Sequence, residues 1–252
     1  MLRSVLDAIF PLRCAGCGDG PWPFCSPCLA TVVPLGSPGC RRCGRPWEHE
    51  LTRCRDCPPR TVDLARAPFL YAGAIRRALQ RLKFSGWRAV AEALGEAMAG
   101  VNDFRADTVS WVPLPPGRRA RRGYDQARAL AAVVGRRLDL PVVRLLDRVV
   151  ETAPQARKGG EERRRALRGA FHPVRGISHP SGPSAPARIL LVDDVLTTGA
   201  TAAECARVLR AAGAGGVGLL AAARAVLGPL PARCYPRDGS RLGLWLPGDP
   251  PR

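Results

Sequence analysis

The stretch Ile189-Leu190-Leu191-Val192-Asp193-Asp194-Val195-Leu196-Thr197-Thr198-Gly199-Ala200-Thr201 limits the fold more than any other part of this 252-residue chain. Four consecutive apolar residues, Ile189–Val192, read as a buried strand, the kind found in sheets covered on both faces. Two acids sit at its end, and a Thr/Gly turn leads into Ala202–Ala212, an Ala-rich segment with Val208 and Leu209 on one side that reads as a helix. The turn sets backbone N–H groups and the hydroxyls of Thr197, Thr198 and Thr201 at a helix N-terminus, where the dipole favours an anion such as phosphate. Carboxylates at the end of a strand stand where open α/β sheets take their ligands. A phosphate holder beside two acids suits a phosphorylated sugar, the acids taking its vicinal hydroxyls. The competing reading is a strand whose Asp pair caps the next helix. One Asp suffices for a cap, and the Thr-Thr-Gly-x-Thr turn is then left unexplained.

Position by position, this stretch resembles the 5-phosphoribosyl-1-diphosphate (PRPP) motif of type I phosphoribosyltransferases. The resemblance implies that Asp193 and Asp194 hold the ribose 2- and 3-hydroxyls and form the catalytic pair. It also implies that Thr197, Thr198, Gly199, Ala200 and Thr201 wrap the 5-phosphate.

Cysteine usage is segregated. Cys14-x-x-Cys17, Cys25-x-x-Cys28, Cys40-x-x-Cys43 and Cys54-x-x-Cys57 are four knuckles within the first sixty residues, and only Cys205 and Cys234 lie elsewhere. A C-x-x-C turn aims two thiolates at one point, and two such turns complete a tetrahedral zinc site. Gly16, Gly18, Pro27, Gly39, Gly44 and Pro58 beside the knuckles help the chain turn tightly. Disulfides are the alternative, but with no export signal the thiols are expected to stay reduced. Two structural zincs follow, either in neighbouring pairs (Cys14/17/25/28 and Cys40/43/54/57) or in an interleaved cross-brace with the same residues. Apolar residues are scarce around the ligands, so metal must supply much of this segment's folding energy, and chelation is expected to unfold it while sparing the rest.

Met1–Phe10 has apolar residues at helical spacing interrupted by Asp7, which reads as a short amphipathic helix and not a signal peptide. No apolar run approaches the ~20 residues that a membrane span requires, and a cytoplasmic location is expected. Residues 1–60 therefore form the amphipathic helix and double ribbon. Beyond Ala67 strands and helices alternate: Phe69–Tyr71 (strand), Ala74–Phe84 and Ala89–Val101 (helices), Thr108–Leu114 (strand), Tyr124–Leu138 (helix), Val142–Leu146 (strand), then the Ile189 stretch and Val217–Ala223 (strand). Such alternation predicts a parallel sheet with helices on both faces over residues 67–227. Gly176–Ala187 reads as a loop, and 228–252 as a disordered tail.

The net charge is +18, and residues 113–170 hold 15 basic against 6 acidic side chains, half of the excess in under a quarter of the length. Such a balance suits nucleic acid, polyphosphate or an anionic surface. Val112-Pro113-Leu114-Pro115-Pro116-Gly117-Arg118-Arg119-Ala120-Arg121-Arg122-Gly123-Tyr124 reads as strand, basic loop, Gly, then helix. Its guanidinium groups can chelate phosphate oxygens in pairs, against the plainer reading of a solvated turn. A second basic segment, with Arg148, Thr152, Gln155 and Lys158, reads either as a mobile lid that excludes water or as a basic amphipathic helix at Glu161–Leu167.

Taken in order, the four knuckles, Leu82-Lys83-Phe84-x-Gly86, Val112-Pro113-Leu114, Arg122-Gly123-Tyr124-Asp125-Gln126, Thr152-x-x-Gln155, Gly169-Ala170-Phe171 and the PRPP stretch resemble the ComF family of late-competence proteins. Members are similar to type I phosphoribosyltransferases and carry an N-terminal double zinc ribbon. Val150 and Ala166 depart from the family pattern, which commonly has Arg and Asn there. The resemblance implies PRPP with Mg²⁺ as ligand, diphosphate held by Lys83, Arg118, Arg119 and Arg122, and a link to DNA uptake. Transfer of ribose 5-phosphate to a nucleobase-like acceptor is the expected activity. Two rivals stand beside it: a single-stranded-DNA-binding competence factor, with Trp22, Trp47, Trp87 and Trp111 available for stacking, and a PRPP-sensing regulator without turnover. Other competence proteins are further candidate partners, and the sequence leaves the oligomeric state open.

Overall fold

The computed structural model describes residues 12–150, 167–174, 187–226 and 230–231. Its sheet contains β1 (Leu64–Arg66), β2 (Phe69–Leu70), β3 (Thr108–Trp111), β6 (Arg188–Leu196) and β7 (Gly216–Arg224), and every pairing among them is parallel. β7 receives β1 and β2 on one side and β6 on the other, and β3 follows β6.

Both faces of this sheet are covered, as the apolar runs require. Ile189 and Leu191 of β6 join Val217, Leu219 and Ala221 of β7 in one core cluster, under α6 (Ala200–Ala211). The alternate residues Leu190, Val192, Leu220 and Ala222 join the other cluster, under α2 (Gly73–Phe84), α3 (Ala89–Gly100) and α5 (Gln126–Leu138). Helix α2 buries Ala74, Ile75, Ala78, Leu79 and Leu82, one stripe of a 3.6-residue period. Helix α5 starts on Asp125, whose side chain accepts from the N–H groups of Ala127 and Arg128.

The structure corrects several sequence expectations. β6 runs through the acid pair to Leu196, so the acids lie within the strand, not beyond its end. The sheet begins at Leu64, ahead of the start expected at 67; β1 is three residues long and carries no readable period. β3 is the last named strand on its side, extended only by a bridge between Val109 and Val142. The strand expected at Val142–Leu146 is instead β4 (Leu146–Arg148), paired antiparallel with β5 (Phe171–Pro173), because that distant partner sets its register. The basic loop after β3 is a short helix, α4 (Pro116–Arg122), closed by Gly123 in the left-handed conformation.

The cysteine segment, with its one-turn helix α1 (Ser26–Leu29), is not a separable appendage. Cys14, Ala15 and Cys28 belong to the α2-side core, and Cys40, Cys43 and Cys54 to the α6-side core. The first ribbon is bound to α2 by Arg77 Nε donating to Gly16 O (3.0 Å) and Arg81 Nη1 to Ala15 O (2.8 Å). Thr31 Oγ1 accepts the Ala74 N–H at the start of that helix (3.0 Å). The second ribbon is held by buried Arg224 of β7, which donates to Cys43 O at 2.7 Å. The ribbons thus share buried contacts with both faces of the sheet.

The N-terminal helix, the helix at Glu161–Leu167, the loop at Gly176–Ala187 and the tail at 228–252 fall wholly or largely outside the described residues.

Candidate functional site

The eight cysteines come together as Cys14/Cys17/Cys25/Cys28 and Cys40/Cys43/Cys54/Cys57, each set with its ligand atoms within 4.8 Å of one another. Neighbouring knuckles pair, and the cross-brace is excluded. Sulfur–sulfur separations of 3.7 Å (Cys17–Cys25), 3.5 Å (Cys40–Cys57), 3.5 Å (Cys43–Cys54) and 3.8 Å (Cys54–Cys57) are close to the edge of a tetrahedron, about 3.8 Å, that ~2.3 Å zinc–sulfur bonds require. All eight are free thiols. Backbone N–H groups of Gly16 and Cys25 donate to Cys14 Sγ, and that of Cys54 to Cys40 Sγ, which favours the thiolate forms. The residues fit zinc.

Asp194 is the centre of the second constellation. Its side chain points to the α2/α5 side, where Lys83 Nζ and Gln126 Nε2 each lie 2.9 Å from Oδ2. Gln126 is itself buried, and its Oε1 accepts from Arg122 Nη1 at 2.9 Å. Lys83 from the end of α2 thus meets Asp194 of β6 directly, and Arg122 from the end of α4 reaches it through Gln126, a residue the sequence reading quoted in its motif without assigning it a role. A glutamine directly after an Asp N-cap was the available signal. Burial depresses the pKa of Arg122, and the Asp194 carboxylate acts in the opposite sense.

Asp193 points to the other face. Its Oδ1 accepts the Asp194 N–H at 2.8 Å. Burial and then the adjacent Asp194 carboxylate push its carboxyl up to about 8. Arg148 lies on this side within the fields of Arg118 and Asp193, and its pKa is depressed by burial and then by Arg118. Arg119 stands apart: it is exposed and acts on Asp125. Asp125 ties the segment after β3 to α5, since its Oδ2 accepts the Leu114 N–H at 3.1 Å.

The turn after β6 carries Thr197, exposed, and Thr198, whose Oγ1 accepts a long bond from Ala200 N–H (3.4 Å). Gly199 is the cap of α6, with φ 72°, and offers no side-chain acceptor to the first-turn N–H groups of Ala200, Thr201 and Ala202. A Cβ on Gly199 would lie 2.7 Å from Cβ of Pro58, so the second ribbon backs this turn directly. Of the proposed lid residues only Arg148 is described; Thr152, Gln155 and Lys158 lie outside the described residues. β4 and β5 pair on the Asp193 side of the sheet, where Leu146 and Phe171 join the same core cluster as Ile189 and Leu191.

Beside this constellation lies a cleft of about 1210 Å³ lined by Arg88, Trp111, Arg119, Tyr124, Arg128 and Arg148, among others. Arg88 covers the Tyr124 ring at 5.0 Å and Arg128 covers Trp111 at 5.8 Å. Of the four tryptophans named as stacking candidates, Trp111 reaches this cleft, whereas Trp22 and Trp87 are half-buried against the core and Trp47 lies under Arg45. Among the described residues no helix is long and apolar enough to cross a membrane.

Residues 5–58 match the double zinc ribbon domain family. Competence protein ComFC of Streptococcus pneumoniae is 30% identical over 200 residues, covering 76% of this chain and 83% of that protein. Competence protein F of Haemophilus influenzae is 28% identical over 75% of this chain and 85% of its own length. The DNA utilization protein YhgH of Escherichia coli K12 is 30% identical over 79% of this chain and 88% of its own. Among solved structures, a glutamine PRPP amidotransferase from B. subtilis aligns over 53% of this chain with 22% identity and a TM-score of 0.36. The chain spans only 26% of that enzyme, and the likeness is too loose to bear on activity.

Proposed function

The chain belongs to the ComF family of competence proteins, and from that premise we propose that it binds PRPP at the Asp193/Asp194 strand end and transfers ribose 5-phosphate to a nucleobase-like acceptor. The observation that carries this reading is the convergence of Lys83 and Gln126 on Asp194, with Arg122 bonded to Gln126, five residues before Gly199, which caps α6. Cations and a carboxylate are brought together at one end of a phosphate-holding turn, as a sugar bearing anions at both ends demands. In this reading the Thr197–Thr201 turn takes the 5-phosphate and the acids orient the ribose. Arg118, Arg122 and Lys83 stabilise the diphosphate as negative charge develops on it. The bond from C1 to diphosphate oxygen breaks, one from C1 to an acceptor nitrogen forms, and the acceptor gives up a proton.

Mg²⁺ would supply neutralisation of the diphosphate. Titration calorimetry with PRPP and Mg²⁺, followed by a ³¹P assay for released diphosphate across a set of bases, tests the proposal. Binding without release supports a PRPP-sensing regulator; no binding removes the reading.

The arginine- and aromatic-lined cleft supports a second role, that of tracking single-stranded DNA. A steep fall of oligonucleotide affinity with salt, shallower by about one unit of slope in Arg128→Ala, is the expected result.

A further inference from the structure

Arg224 ends β7 and is only 2% exposed, so its guanidinium lies within the core. Its fork reaches into the second cysteine set: Nη1 donates to Cys43 O at 2.7 Å and Nη2 to Asp56 O at 3.4 Å. Those carbonyls belong to the two knuckles that supply all four sulfurs of the set, so one side chain of the sheet ties both. Among the described residues its partners are carbonyl oxygens, no carboxylate pairs with it, and its buried Nε has no acceptor. Arg45, which is 4% exposed beside the same set, differs in having the carboxylate of Asp56 as its partner. A buried cation without an anion is strongly destabilising, and folded chains pair such charges or set them against a metal centre. Four thiolates around Zn²⁺ carry two net negative charges, which supplies the missing anion. The first set offers a contrast. Arg77 of α2 donates to Cys28 Sγ at 3.7 Å but is exposed, so water solvates its charge with or without metal.

We propose that Arg224 is the counter-ion of the second zinc site, a buried cation balanced by the metal-bound thiolates, so that zinc and the sheet stabilise one another there. The proposal rests on the zinc reading of Cys40/Cys43/Cys54/Cys57. Arg224 also stands opposite Leu196 in the β6–β7 pairing, and Ala225 N–H donates to Leu196 O at 2.9 Å, directly before the Thr197–Thr201 turn. Loss of the second zinc then leaves an unbalanced charge in the strand pair that carries this turn. A competing role for Arg224 is a plain hydrogen-bonded tie between the knuckles, in which its charge is incidental.

The test uses the full-length protein as wild type, Arg224→Lys, Arg224→Gln, Arg224→Met and Arg77→Met. Metal analysis gives the zinc content, competition with a chromogenic chelator gives the affinities, and urea unfolding is followed in the zinc-loaded and the chelated, thiol-reduced states. Lys and Gln each keep a hydrogen-bond donor, but Lys alone keeps the charge. Arg224→Gln and Arg224→Met should weaken the second zinc by about a hundredfold or more, while Arg224→Lys stays within about tenfold of the wild type. In urea the order should reverse: Arg224→Met is less stable than the wild type with zinc and more stable without it, since the apolar side chain removes the unbalanced charge. Arg77→Met should show no such reversal. Equal zinc losses in the Lys and Gln variants, or an Arg224→Met that is equally destabilised in both metal states, overturn the proposal and leave Arg224 a neutral tie. Where the chelated chain gives no urea transition, or Arg224→Met does not fold, the zinc affinities of the Lys and Gln variants decide. A wild type that carries no zinc removes the metal reading itself, and the proposal with it.

Discussion

Asp193 is held in the folded chain with its carboxyl raised to about 8, by burial first and by the Asp194 charge second. Its proton is therefore bound more tightly in the folded than in the unfolded state, and stability falls as pH rises from about 4 towards 8. Asp193→Asn cannot ionise, so its Tm relative to wild type should rise between pH 5 and pH 9; a difference that stays flat across that range contradicts the raised value. A side chain that weakens the fold at neutral pH is of the kind found at working sites. Asp194 differs, being matched by Lys83 and Gln126. If both acids grip the sugar, Asp193→Asn with Asp194→Asn removes two charge-assisted hydrogen-bonding groups, about 3 kcal/mol or more, and PRPP affinity should drop at least about a hundredfold by calorimetry. Arg122→Ala should weaken PRPP and diphosphate more than ribose 5-phosphate; equal losses would move Arg122 off the diphosphate. Lys83, Arg122 and the acids were legible as single residues because charge and motif mark them. Gln126 was not, since its role depends on two side chains that the chain brings to it from elsewhere.

Among the elements, β6, its turn and α6 were readable because their signal is local: an apolar run, a glycine, then an alanine-rich period. The limits of that stretch were less so, because β6 continues through the acids only by virtue of its pairing with β7, where Asp193 stands opposite Ala221. β1, β4 and β5 are three residues each and owe their existence to partners far along the chain. α4 was hidden by its composition, as four arginines and a glycine imitate a solvated loop, yet Pro116 at its start and left-handed Gly123 just past its end delimit it. Gly199 is where local and distant requirements meet. Its φ of 72° suits glycine, and Pro58 leaves no room for a Cβ. Gly199→Ala should destabilise the protein by about 1–3 kcal/mol in urea titrations. It should also weaken ribose 5-phosphate binding, because the turn must shift to relieve the contact. Unchanged binding would detach the turn from the phosphate.

Across the molecule, the two ribbons brace two different parts of the site. The first holds α2 through Thr31, Gly16 and Ala15, and the far end of α2 carries Lys83 and Phe84. The second runs from Cys57 into Pro58, behind Gly199, and on to Thr61, whose hydroxyl donates to Ala203 O of α6 at 3.2 Å. Arg42 clasps this passage by donating to the carbonyls of Pro58 and Val62, both at 2.6 Å. Zinc bound by the second cysteine set would therefore act on the Thr197–Thr201 turn through a few residues of chain, and zinc bound by the first on the end of α2 that carries Lys83. Cys54→Ser with Cys57→Ser should lower the zinc content by one ion and weaken inorganic phosphate and ribose 5-phosphate by about tenfold, ~1.4 kcal/mol. Cys14→Ser with Cys17→Ser should cost the same one ion and, if Lys83 meets the diphosphate as proposed, weaken PRPP while leaving phosphate affinity nearer wild type. Metal analysis paired with calorimetry separates the two arms. If phosphate affinity survives loss of the second zinc, the ribbon serves the fold alone and the contact between Pro58 and Gly199 carries no functional load.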